Sequence, residues 1–253
     1  MGCELYRACG LSVSKWKPLL LTDAFLDENP GSWIQTADGN LRPSTGLCFG
    51  SRYLGGVDVR LLEILPGTSI SKVRNRKAFW LAWLIDICSQ HVDNRQVLFT
   101  EQAKGALKAT FIDNGHLFGG PKGELSKAFI ASRYLDSRIY PSVTSGQVRG
   151  FIGVAESLDV DKLWLRVQHI PTEWKKPSAL RRFAESLDRL ATASVLQHTL
   201  DTMVDTVQRD RNSECNNAPD RRKLPSSVLR YRVQPSTAEQ RAISLPVYYP
   251  ACA

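Results

Sequence analysis

The sequence lacks any apolar run long enough to cross a bilayer. Its longest such run, Ala78 to Ile85, ends at Asp86, whereas a membrane-spanning helix needs roughly 18 to 20 apolar residues. The first ten residues lack the basic segment and the apolar stretch of a secretory signal. Tyr6 occupies the position where a myristoylation motif after Gly2 requires Ser or Thr. We therefore expect a cytoplasmic protein that does not associate with a membrane.

The cysteines lack the spacing of a metal site. None belongs to a C-x-x-C pair, and no paired histidines lie near them, which disfavours a zinc site. We expect reduced thiols that are mostly buried. The six cysteines are Cys3, Cys9, Cys48, Cys88, Cys215 and Cys252.

Acidic residues are fewer than basic ones, and the net charge is +8. From Arg209 onward there are eight Lys and Arg against four Asp and Glu, which leaves a net charge of +4 on this segment. The segment is also rich in Pro, Ser and Asn, a composition typical of poorly ordered chains. We expect residues 209–253 to form a flexible, solvated tail, and nucleic-acid binding through it is the weaker alternative.

The hydrophobic pattern predicts an α+β fold that is mainly helical and contains one small β-hairpin. The run from Lys77 to Cys88 is apolar almost all round, which indicates a helix packed on several sides. Two β-rich runs flank a turn containing Gly105 and predict the hairpin. The other predicted elements are a short helix from Glu4, a strand in 16–23, a loop region over 28–50, a strand in 57–65, a turn at 119–123, short helices in 158–164 and 171–174, and a helix over 179–207 that is either single or broken near 191–194.

Two aspartates flank the predicted hairpin. Asp93 lies four residues before the first strand, and Asp113 directly follows the second strand. Antiparallel pairing brings the two carboxylates to the same end of the hairpin. Either aspartate alone is better explained as a turn or cap residue. The pair, preceded by a buried helix, instead favours a phosphate and metal site, because Mg²⁺ prefers oxygen ligands and phosphoryl transfer needs its charge neutralised.

Neighbouring residues complete the predicted site. Asn94 and Gln96 are the amides available to join Asp113 in binding the cation and the phosphates. We interpret His91 as a packing residue that supports the loop backbone, because Asp93 already occupies the position of a general base. Arg95 is equally consistent with phosphate binding and with a solvent-exposed position.

At these residues the sequence resembles the HipA-like kinases, bacterial relatives of toxin kinases that phosphorylate Ser or Thr. The resemblance runs from about Gly46 to Trp174 and covers several ordered blocks: GLCFGSRY (46–53), LLEILPG (61–67), HVDNRQVLF (91–99), FIDNGHLFGGP (111–121) and IPTEW (170–174). It implies that Asp93 is the catalytic residue, that Asp113 binds Mg²⁺, and that ATP is the phosphoryl donor.

The sequence departs from the family pattern at two places. Leu98 occupies the position, five residues after the catalytic aspartate, where the family has Asn, so Gln96 or Asn94 would replace that amide at the metal. Only about 45 residues precede Gly46, and none resembles the ATP-holding N-lobe with its strand lysine. The resemblance therefore implies three regions: a hinge-proximal remnant over 1–45, a kinase C-lobe over 46–208, and the basic tail over 209–253.

Two functions are consistent with this resemblance. The first is transfer of the γ-phosphoryl group of Mg²⁺ATP to a Ser or Thr of a protein, by a truncated or minimal enzyme. The alternative is a catalytically inactive pseudokinase that serves as a protein-interaction module. The expected partners are a protein substrate or an antitoxin-like protein.

Overall fold

The computed structural model describes residues 1–36, 39–56, 59–120 and 132–216, and within these ranges the chain forms seven α-helices and seven strands. The helices are α1 (Gly2–Ala8), α2 (Asp23–Glu28), α3 (Ala78–Cys88), α4 (Ser145–Glu156), α5 (Val160–Gln168), α6 (Pro177–Leu190) and α7 (Ala193–Asn216). The strands are β1 (Trp16–Leu21), β2 (Ile34–Thr36), β3 (Gly39–Leu41), β4 (Gly46–Ser51), β5 (Leu61–Leu62), β6 (Val97–Glu101) and β7 (Leu107–Phe111). The expected α+β class, mainly helical with small sheets, is confirmed.

Helix α3 is buried on all sides, as its sequence predicts. Phe79 packs edge-on against Phe111 of β7, with ring centroids 5.2 Å apart, and Trp80 packs edge-on against Tyr140 at 5.1 Å. The indole nitrogen of Trp80 donates a hydrogen bond of 2.9 Å to the carbonyl of Pro141. Burial of each large apolar side chain stabilises the fold by about 1.5–3 kcal/mol, so α3 is the centre of the core.

The predicted hairpin forms from β6 and β7, which pair antiparallel from Val97 opposite Phe111 to Glu101 opposite Leu107. Its turn contains Gly105 with φ at +70°, a conformation that glycine adopts without steric cost. Strand β5 pairs with β6 and extends the sheet to three strands. This strand covers only Leu61–Leu62 of the predicted strand, and residues 57 and 58 lie outside the described ranges.

The segment between residues 16 and 53 contains more regular structure than the sequence predicted. The expected strand is present as β1, but the expected loop region over 28–50 contains β2, β3 and most of β4, so that prediction is wrong. Strand β4 pairs antiparallel with β1, and β2 pairs with β3. Strands β2 and β3 have three residues each, and β4 contains two glycines, so the two-residue periodicity of a strand is not recognisable in them.

Contacts divide the described chain into two units. The first contains Met1–Lys15 and Leu54–Ser213, and the second contains Trp16–Tyr53 and, from Glu214, the end of α7. The predicted boundary at residue 46 differs from this division because β4 pairs with β1. The predicted 1–45 segment is thus shared between the two units.

The C-terminal helices follow the predicted pattern with one addition and one extension. Of the two alternatives for 179–207, a single helix or a pair broken near 191–194, the structure has the pair, α6 and α7. Helix α4 was not predicted, although Thr144 and Gln147 form a capping box at its start. Helix α7 continues past Arg209 to Asn216, where the tail was expected to begin. Residues 217–253 and residues 121–123 of the turn predicted at 119–123 lie outside the described residues, whereas 119 and 120 form a turn.

Four cysteines have described side chains, and all four are free thiols. Cys9 and Cys88 are buried, and burial raises the pKa of each thiol to about 12. Cys3 and Cys48 are partly buried. Among the helices that the structure describes, none has both the length and the apolar character that a membrane span requires.

The hairpin turn provides a stability test. We expect Gly105→Ala to lower the free energy of unfolding by about 1 kcal/mol, because alanine is strained at positive φ. Gly150 lies within α4, with open space around an added Cβ, so Gly150→Ala should raise the free energy of unfolding by about 0.5–1 kcal/mol. Urea unfolding of the two variants measures both values. Shifts of the same sign would contradict the conformation assigned to Gly105.

Candidate functional site

The hairpin brings Asp93 and Asp113 together at one end, as expected from the sequence. The amide of Ile112 donates a 3.2 Å hydrogen bond to the carbonyl of Gln96, which continues the strand pairing up to the aspartates. His116 lies beside both, with its Nε2 atom 4.0 Å from Oδ2 of Asp93 and 3.5 Å from Oδ2 of Asp113. One ligand atom from each of the three residues lies within 4.8 Å of the others, a spacing that could hold a metal ion.

The two carboxylates differ in their environments. The side chain of Asp93 is 42% exposed, whereas that of Asp113 is 8% exposed. Among the described residues, Oδ2 of Asp113 is buried and has no hydrogen-bond partner. Burial raises the pKa of Asp113, and the nearby His116 opposes that shift. A buried carboxylate oxygen without a hydrogen bond is costly, so this atom is well suited to bind a cation.

The two loops of the site lie side by side and are joined by backbone hydrogen bonds. The amide of Val92 donates to the carbonyl of His116 at 3.1 Å, and the amide of Phe118 donates to the carbonyl of Ser89 at 2.7 Å. Gly120 packs so closely that an added Cβ would lie 2.7 Å from a methyl group of Val92. The loops therefore hold each other in place.

Three residues of these loops adopt left-handed backbone conformations without being glycine. They are Gln90 (φ 53°), Asp113 (φ 56°) and Phe118 (φ 60°). Such conformations cost of order 1–3 kcal/mol each and persist where the surroundings enforce them. At Asp113 the turn directs the chain into the short 3-10 helix Asn114–His116, which places His116 beside the aspartates.

A buried ion pair fixes the loops to α3. Arg95 donates from Nε to Oδ2 of Asp86 at 2.9 Å and also donates from Nη2 to Oδ1 of that carboxylate. Its Nη1 atom donates to the carbonyl of Ile112 at 2.9 Å and to the side chain of Asn114 at 3.0 Å. Both roles considered for Arg95 from the sequence, phosphate binding and solvent exposure, are therefore wrong, because the residue is buried among protein acceptors.

Helix α1 contributes to this pair through Tyr6. The hydroxyl of Tyr6 donates to Oδ1 of Asp86 at 2.5 Å, and the guanidinium carbon of Arg95 lies 5.0 Å from the centre of the Tyr6 ring. Burial raises the pKa of Tyr6 well above its ordinary value, so the hydroxyl remains a donor at neutral pH. A segment that the sequence placed outside the kinase-like region thus supports the site.

His91 has the supporting role expected for it. The side chain is buried, and its Nδ1 lies 2.7 Å from the backbone carbonyl oxygen of Asp93. Burial lowers the pKa of His91, although Asp86 opposes this shift. The histidine therefore shapes the loop backbone that presents Asp93.

The amides proposed as metal ligands lie on the exposed side of the same loop. Asn94 and Gln96 are both exposed, and the backbone amide of Asn94 donates to Oδ1 of Asp93 at 2.7 Å. His116, which the sequence reasoning missed, is the third member of the cluster with Asp93 and Asp113. The available signal was the D-x-x-H spacing of Asp113 and His116, which places both side chains on one side of a tight helical turn.

Loss of the buried pair should destabilise the protein strongly. We expect Arg95→Met to lower the free energy of unfolding by about 3–5 kcal/mol, because Asp86 would remain buried without its partner. Adding Asp86→Leu to that variant should restore part of the loss. Chemical denaturation measures both effects. The exposed pair of Arg181 and Glu185 is the control, and Arg181→Met should change stability by less than about 0.5 kcal/mol. Equal effects at Arg95 and Arg181 would contradict the role of the buried pair.

The neutral state of His91 should appear in the pH dependence of stability. Its pKa in the folded protein lies below the ordinary 6.5, so below pH 6.5 the unfolded chain binds more protons than the folded one. The contribution of neutral His91 to the free energy of unfolding is therefore fully present above pH 6.5. It decreases as the pH falls from 6.5 toward the lower pKa of the folded state. Denaturation between pH 8 and pH 5 should show a shallower slope for His91→Asn than for the natural chain. An unchanged slope would contradict this prediction.

Comparison of the chain with protein-family models, with curated proteins and with solved structures gives no significant match. The resemblance to HipA-like kinases therefore depends on the sequence blocks quoted above.

Proposed function

We propose that the chain is a phosphotransferase related to the HipA-like kinases, in which Asp93 acts on the acceptor hydroxyl and Asp113 binds the cation that accompanies ATP. The observation that supports this proposal best is the convergence of the two carboxylates, with a buried oxygen of Asp113 that lacks a hydrogen bond. Phosphoryl transfer requires such an arrangement because charge neutralisation and positioning provide most of the catalysis.

The difference in exposure supports this division of the two roles. Asp93 is accessible to a protein substrate, so it can accept the proton of a Ser or Thr hydroxyl. The hydroxyl oxygen then forms a bond to the γ-phosphorus of ATP, and the bond between that phosphorus and the bridging oxygen to the β-phosphate breaks to release ADP. Asp113, held in the buried turn, would bind the cation, which would neutralise charge on the phosphates.

The carboxylate oxygens fit the divalent cation that the resemblance implies. Oxygen atoms of Asp93 and Asp113 lie close enough to share one ion, and hard cations prefer such oxygens. Asn94 and Gln96 lie on the accessible side of the loop, where their amides could contact the phosphates of ATP. With the nucleotide bound, the cation would neutralise the charge of the transferred group.

The alternative function, a protein-interaction module without catalysis, has a separate observation in its favour. Leu20 of β1 is 69% exposed, and Leu47, its partner on β4, is 45% exposed. Exposed apolar side chains that adjoin on one sheet face are typical of protein-binding surfaces.

A transfer assay with γ-labelled ATP, Mg²⁺ or Mn²⁺, and a library of Ser and Thr peptides tests the proposal. We expect the natural chain to transfer label, and Asp93→Asn and Asp113→Asn each to reduce the rate by about 100-fold or more. Asp205 is exposed on α7, so Asp205→Asn should behave like the natural chain. A natural chain that neither binds ATP nor transfers phosphate would overturn the proposal and favour the interaction module.

A further inference from the structure

We infer that His116 is the third ligand of the metal site, and that the site therefore selects a first-row transition cation such as Mn²⁺ over Mg²⁺. The metal's part in phosphoryl transfer rests on the proposed function. Binding of the metal itself depends only on the three side chains.

The geometry is close to that of a bound ion. Metal bonds of about 2.1 Å place neighbouring ligand atoms about 3.0–3.5 Å apart. Nε2 of His116 is already 3.5 Å from Oδ2 of Asp113 and 4.0 Å from Oδ2 of Asp93. Only Asp93 needs to approach, and its side chain is 42% exposed, so it has room to move. The two other ligands are held by the 3-10 turn.

The buried oxygen of Asp113 indicates independently that a cation belongs here. The side chain is more than nine-tenths buried, and its Oδ2 lacks a hydrogen-bond partner among the described residues. The nearest buried cation of the network, Arg95, directs its donors to Asp86, Ile112 and Asn114 instead. Nε2 of His116 lies 3.5 Å from this oxygen without making a hydrogen bond to it, and a cation bound by Asp93, Asp113 and His116 would satisfy the oxygen.

The ligand set determines the class of metal. Mg²⁺ demands an octahedral shell of oxygen atoms and keeps several waters. An imidazole nitrogen suits first-row transition ions, while carboxylates also accept Mn²⁺. Two carboxylates with one imidazole therefore favour Mn²⁺ and similar ions over Mg²⁺. The Mg²⁺ implied by the family resemblance fits the oxygen ligands but not the histidine.

Direct cation binding tests this inference without ATP. Mn²⁺ binding to the full chain is measured by the loss of the free Mn²⁺ electron paramagnetic resonance signal, and Mg²⁺ binding is measured by competition. We expect Mn²⁺ to bind at least tenfold more tightly than Mg²⁺. His116→Gln should weaken Mn²⁺ binding at least tenfold and leave Mg²⁺ binding nearly unchanged. His116→Asp, which creates an all-oxygen set, should reduce the preference for Mn²⁺ over Mg²⁺.

The control is His169→Gln, because His169 is exposed and is not part of the cluster. This variant should bind Mn²⁺ like the natural chain, and urea unfolding checks that each variant is folded. The inference is overturned if His116→Gln binds Mn²⁺ normally, or if the natural chain binds no divalent cation.

The same variants separate this inference from the proposed function. Mn²⁺ binding that depends on His116, in a chain that transfers no phosphate, would overturn the proposed function alone. The opposite result is a His116→Gln variant that transfers phosphate with Mg²⁺ as fast as the natural chain and binds Mn²⁺ with the same affinity. That result would overturn the inference alone.

Discussion

The buried ion pair of Asp86 and Arg95 is the interaction on which the candidate site depends. It joins the C-terminal end of α3 to both loops, because the same guanidinium group also donates to the carbonyl of Ile112 and to the side chain of Asn114. Removing two charges from water costs several kcal/mol per ion, and a set of apolar side chains could fill the same volume without that cost. The value of the pair therefore lies in fixing one arrangement of the loops.

That arrangement explains why the buried Oδ2 atom of Asp113 accepts no hydrogen bond among the described residues. The side chain of Arg95 donates to acceptors on α3 and in the loop that follows β7, and Tyr6 adds a further donor to Asp86. The pair of Asp86 and Arg95, which has no net charge, thus supports the turn that carries Asp113. It makes no hydrogen bond to Oδ2 of Asp113. The ring of His91 is hydrogen-bonded to the backbone of Asp93 through Nδ1. The groups that build the site leave its carboxylates available for a ligand.

The sequence predicted the parts of the fold that depend on local pattern. Helix α3 was recognisable from its continuous apolar composition, and the β6–β7 hairpin from two apolar runs around Gly105. The convergence of Asp93 and Asp113 followed from antiparallel pairing alone. Strands β2 to β4 were missed because such short segments gain their structure from pairing partners, which periodicity does not identify.

The unpredicted features of the site depend on tertiary contacts. The burial of Arg95 requires Asp86, nine residues earlier on α3, and Tyr6 on α1. Asp113 adopts a left-handed conformation, which aspartate tolerates better than most residues other than glycine but which the residue type alone does not predict. This conformation begins the turn that places His116 beside the aspartates, so a single strained residue determines the third member of the cluster.

The unequal exposure of the two aspartates connects these constraints to the proposed reaction. A carboxylate that accepts a proton from a protein hydroxyl must be reachable, whereas one that binds a cation benefits from a rigid, water-poor position where electrostatic interactions are stronger. Asp93 lies in a loop supported by His91 but open to solvent, and Asp113 lies in the turn held by the Arg95 network. Because the same hairpin carries both, a change in the buried pair would alter the positions of the two carboxylates together.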